Sequence, residues 1–62
     1  MTEEENEKIV KAVQKFIDEK GYNDTFEVTK TNIIYTKDDS PSLYLLLNNN
    51  IESNIEKIER LH

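Results

Sequence analysis

The tightest constraint on the fold lies in residues 26–47. Three short β-type runs there are cut by two turn signals, with a helix-patterned segment on each side. Thr25, Phe26, Glu27, Val28 and Thr29 alternate polar and apolar and favour β-branched side chains, as a half-buried strand requires. Ile33, Ile34, Tyr35 and Thr36 form the second run, and Leu43, Tyr44, Leu45, Leu46 and Leu47 the third. Between the first two lie Lys30, Thr31 and Asn32. A three-residue hairpin loop commonly ends on a residue at positive φ, which Asn tolerates. Between the second and third lie Asp38, Asp39, Ser40 and Pro41, all turn formers; the proline lacks an N–H and marks a boundary.

These loop lengths set a register. A three-residue first loop places Val28 opposite Ile34 and Phe26 opposite Thr36. A four-residue second loop places Ile34 opposite Leu45 and Thr36 opposite Leu43. Phe26, Val28, Ile34, Leu43, Leu45 and Leu47 then share one apolar face on which both loops agree. A rival two-residue turn at Thr31 and Asn32 pairs Val28 with Tyr35 and turns Ile34 outward.

In the favoured register the outer face carries Ile33 opposite Leu46 and Tyr35 opposite Tyr44, beside Thr25, Glu27 and Thr29. So many large apolar groups on an outer face are unusual for a small monomer. They read either as a protein-binding or self-association patch, or as a surface covered by a helix, a terminus or cross-strand aromatic pairing.

Upstream, Ile9, Val10, Ala12, Val13, Phe16 and Ile17 recur at helical spacing. Thr2 and Glu5 have capping-box spacing, and Glu3 and Glu4 suit the positive end of the helix dipole. Gly21 marks the helix stop, with Tyr22 placed to fold back on Ile17. Downstream, Asn48, Asn49 and Asn50 offer several N-caps, and Asn49 with Glu52 has capping-box spacing. Ile51, Ile55, Ile58 and Leu61 form a narrow apolar stripe, which fits docking on the sheet beside the first helix or pairing with a second chain. His62, the only histidine, is expected to fray.

The chain has 62 residues, expected to form one domain over 1–62, and a domain of this size buries only about 60% of its unfolded surface. It contains no cysteine, so disulfides and thiolate metal sites are excluded, and no apolar run approaches the ~20 residues of a membrane span. The acidic start, with Glu3, Glu4 and Glu5, opposes a signal peptide and points to a cytoplasmic setting. A net charge of −5 disfavours direct binding to nucleic acid or an anionic membrane and leaves a basic protein as a partner. Two acidic surfaces are candidates for such contact: Glu52, Glu56 and Glu59 on the second helix, and Glu3, Glu4 and Glu7 on the first. Both also read as solvated helix faces.

Nothing in the sequence supplies catalysis. Nucleophilic chemistry needs a Ser, Cys or Thr beside an oriented base, and phosphate cradles need glycine-rich loops; this chain has one glycine and one histidine. Asp38, Asp39 and Ser40 lack the spacing of a calcium loop and read as a turn. No enzyme, cofactor or metal is expected.

The order helix, three strands, helix resembles that of the double-stranded-RNA-binding domain. That family reads RNA through a lysine-rich start to its second helix and a basic loop between its first two strands. Here the matching helix start, Asn49 to Ser53, has no lysine, and the loop at Lys30, Thr31 and Asn32 has one, so RNA binding is not carried over. The small acidic layout is also similar in class to phage-encoded inhibitors such as certain anti-CRISPR proteins, which present carboxylates where phosphates sit.

The expectation is therefore a two-layer α+β domain, a three-stranded antiparallel meander with both helices on one face. It would serve as a non-enzymatic protein-interaction module binding another protein or a second copy of itself through Ile33, Tyr35, Tyr44 and Leu46. The alternatives are an acidic nucleic-acid mimic that occupies a basic site, and an antitoxin or small regulator.

Overall fold

The computed structural model describes residues 2–62 and shows the α-β-β-β-α order. Helix α1 spans Glu3–Lys20, strands β1, β2 and β3 span Phe26–Val28, Asn32–Tyr35 and Leu43–Leu46, and helix α2 spans Ile51–Leu61. The strands form an antiparallel sheet in the order β1-β2-β3.

Both ends of α1 follow from local chemistry. Thr2 Oγ1 accepts from the Glu5 N–H at 3.2 Å, satisfying one of the amides that a helix start leaves open. At the other end Gly21 adopts φ 72°, and the N–H groups of Gly21 and Tyr22 donate to Asp18 O and Ile17 O. This is the double closure of a Schellman ending. It throws the Tyr22 ring back onto the core, edge-on to Phe16 and 6.0 Å from Phe26.

The sheet register departs from expectation at one strand. Phe26 pairs with Tyr35 and Val28 with Ile33, while Ile33 pairs with Leu45 and Tyr35 with Leu43. β2 is thus displaced by one residue against both neighbours, and since side chains alternate, it presents its other face. Ile33 and Tyr35 point inward and Ile34 outward. The rival turn gave β2 the observed face, but its pairing of Val28 with Tyr35 is not found.

The cause sits in the first turn. The Thr29 N–H donates to Asn32 O at 2.8 Å, so Asn32 belongs to β2 and the loop shrinks to Lys30 and Thr31. The Thr29 hydroxyl accepts from the N–H groups of Asn32 (2.9 Å) and Thr31 (3.3 Å) and donates to Asn32 O (3.2 Å). That uses its full hydrogen-bonding capacity. Asn32 needs no positive φ; among the described residues only Gly21 and Asp38 have one. Asp38 (φ 53°) lies in a turn closed by the Ser40 N–H donating to Lys37 O, and Thr36 and Ser42 share a hydroxyl hydrogen bond of 2.6 Å. The second loop is correspondingly longer than four residues.

Both helices cover the inner face. Ile9, Val13 and Ile17 of α1, Phe26 of β1, Ile33 of β2 and Ile58 of α2 form one buried cluster, flanked by Val28, Tyr35, Leu45, Leu47 and Leu61. α2 therefore docks on the sheet beside α1. Its N-cap is Asn50, whose side chain accepts from the Ser53 N–H, rather than Asn49. His62 does not fray: its N–H donates to Ile58 O and its ring stacks on Tyr22 with centroids 3.8 Å apart. No helix among the described residues is long and apolar enough to cross a membrane.

Fully buried Ile33 and half-exposed Ile34 make the register measurable. Ile33→Ala should cost about 2–5 kcal/mol in urea unfolding. Ile34→Ala should cost about 1 kcal/mol or less.

Candidate interaction surface

β3 lies at one edge of the sheet, and among the described residues three of the four exposed large hydrophobic side chains belong to it. Leu46 is 76% exposed, Tyr44 64% and Leu43 45%; the fourth is Ile51. Tyr44 and Leu46 point outward, and Ile34 stands opposite Tyr44 on the same outer face. Leu43 shares the inner face but lies outside the buried cluster.

The patch expected from sequence is corrected accordingly. Ile33 is fully buried, and Tyr35 turns inward with its ring 5.0 Å from that of Phe26. Neither can contact a partner across the outer face, because the displaced register of β2 exchanges them for Ile34. Tyr44 and Leu46 remain where expected, since β1 and β3 keep their faces.

The backbone of β3 adds polar groups to the patch. The Leu47 N–H donates to Thr31 O at 2.9 Å, so Leu43, Leu45 and Leu47 direct their N–H and C=O groups toward β2. By antiparallel alternation those of Tyr44 and Leu46 face away from the sheet. An edge strand so presented is a template for another strand unless charge, proline or a cover blunts it.

One end of this edge is closed by a side chain. Asn54 is fully buried on α2; its Oδ1 accepts from the Asn48 N–H and its Nδ2 donates to Asn48 O, both at 2.8 Å. The amide stands in for one residue of a neighbouring strand and holds α2 to the end of β3. Sequence reasoning misses Asn54, although a polar residue one helical turn from both Ile51 and Ile58 falls within the apolar stripe. At the other end Pro41 offers no N–H.

The acidic candidates lie on the helices. Glu52, Glu56 and Glu59 are exposed along α2, and Glu3, Glu4 and Glu7 along α1. Of these six, only Glu56 forms an ion pair among the described residues, with Arg60. Members of the two sets line different grooves: Glu52 lines an open groove of about 670 Å³ with Glu5, Lys8, Ile9 and Ile51, whereas Glu3 lines another with Lys30, Leu46 and Leu47. Lys8 interrupts the negative field of the first groove. Among the described residues no three His, Asp or Glu side chains gather to hold a metal.

No family model, curated protein or solved structure matches the chain.

Asn54→Ala removes both partners of the Asn48 backbone. It should lower stability by about 1–3 kcal/mol. Hydrogen exchange at the Asn48 amide should accelerate beyond the change at Leu45, which distinguishes loss of this closure from general loosening.

Proposed function

We propose that this chain is a non-enzymatic protein-interaction module of the cytoplasm, whose working surface is β3: its open backbone edge together with Tyr44, Leu46 and Ile34. One observation carries the reading. The most exposed apolar side chains stand on the same strand as outward-facing backbone donors and acceptors. A partner in extended conformation satisfies both at once, gaining affinity from the ladder and selectivity from alternate side chains.

A second reading rests on the helices. Five of the six candidate carboxylates have no cation within ion-pair distance among the described residues, which supports an acidic mimic directed at a basic nucleic-acid site, or an antitoxin-like regulator. Salt separates the readings, because exposed charge contacts are screened at high ionic strength and apolar contacts are not.

Panning a random peptide library against the intact chain tests the first reading. Selected peptides should be extended and apolar, bind with little change between about 0.05 and 0.5 M salt, and lose about tenfold or more in affinity to Leu46→Lys. Binders indifferent to Leu46→Lys that weaken steeply with salt would contradict it and favour the acidic surface.

A further inference from the structure

Resting on that reading of β3, we infer that its occupant is a second copy of this chain, paired antiparallel through β3 about a two-fold axis at Leu45. The two sheets then become one continuous six-stranded sheet.

Charge is the first reason. The chain is 34% charged, yet residues 40–51 contain no Asp, Glu, Lys or Arg. Two copies carrying −5 each can therefore pair along this edge with no charged side chain on either paired strand, and the acid beside its end, Glu3, shares its groove with Lys30. The lysines that commonly blunt an edge strand are missing from the one strand here whose apolar side chains are most exposed.

The second reason is the set of backbone groups available. Asn54 already holds the N–H and C=O of Asn48, so pairing cannot extend through that residue. A two-fold axis at Leu46 would set Tyr44 against the engaged Asn48 and is excluded. An axis at Leu45 sets Tyr44 against Leu46 of the other copy, and every outward N–H and C=O of these two residues finds a partner.

The third reason is side-chain matching. With the axis at Leu45, each Tyr44 meets a Leu46 on the outer face. On the inner face Leu45 meets its own copy, and Leu43, 45% exposed in the single chain, meets Leu47. An axis at Tyr44 instead sets Leu46 against Ser42. Only the Leu45 axis gives every large apolar residue of the strand an apolar counterpart, as cross-strand pairing favours. An isologous arrangement of this kind closes on itself and does not propagate into a fibre.

Sedimentation of the full chain from about 1 µM to about 1 mM tests the pairing. The mass should rise from 7.3 kDa to twice that value and no further. Leu46→Lys, and separately Tyr44→Pro, which removes an outward N–H and the Tyr44 ring but no hydrogen bond to β2, should weaken association about tenfold or more while leaving the helical circular dichroism unchanged. The register is read by single-cysteine variants, since the chain has no cysteine of its own. Leu45→Cys should form an interchain disulfide under mild oxidation, because facing residues in a non-hydrogen-bonded pair lie about 4.5 Å apart. Tyr44→Cys should not. A chain monomeric at every concentration, larger assemblies, or cross-linking of Tyr44→Cys in preference to Leu45→Cys would overturn the inference. In the monomeric case, peptide binding that remains sensitive to Leu46→Lys would leave the interaction reading standing; its loss would remove both.

Discussion

The Thr29 hydroxyl and its hydrogen bonds to the turn decide which face β2 shows. By receiving two turn amides it closes a two-residue loop in which Asn32 becomes the first residue of the strand. Ile33 is then drawn into the core against Ile17, Phe26 and Ile58, and Ile34 is left at the surface. Burying a side chain of this size contributes about 1.5–3 kcal/mol, a large share of what a chain this short can accumulate. The hydroxyl works locally, yet its effect is read out across the whole sheet because the side-chain period of a strand is two.

That constraint also explains which parts of the fold could be read from the sequence. The element order, the Thr2 cap, the Gly21 ending with Tyr22 folded back, and the inward faces of β1 and β3 all follow from local patterns. The face of β2 does not. The first loop is one residue shorter and the second one residue longer than composition suggested, so the two departures cancel across the sheet. β1 and β3 keep their faces while the strand between them turns over. Agreement between the two loops therefore could not expose the slip, because Ile33 and Ile34 are equally apolar and either fills the core. Asn54 shows in the sequence only as a polar residue within the apolar stripe of α2; its role does not, because its partner is the backbone of Asn48 and no residue type marks that.

The same geometry sorts the surfaces. α1 runs along β1, and Asn6 Nδ2 donates to Lys30 O, tying the helix to the first hairpin. At the opposite edge β3 keeps its outward backbone groups and its exposed Tyr44 and Leu46. Carboxylates concentrate on the helices, and residues 40–51 carry none, although Glu3 of α1 shares a groove with Leu46 and Leu47. Apolar edge and acidic helices thus offer two chemically distinct faces, and a partner suited to one is poorly suited to the other. The proposed pairing of two copies uses only the first and leaves the acids in water.

The register of β2 is tested most directly by proton–proton contacts in solution, since facing residues of non-hydrogen-bonded antiparallel pairs bring their Hα atoms together. Nuclear Overhauser effects between Hα of Val28 and Ile33, of Phe26 and Tyr35, and of Ile34 and Tyr44 are the expected result. Contacts from Ile34 to Val28 and Leu45 in their place would contradict the buried position of Ile33 and, with it, the composition of the outer face.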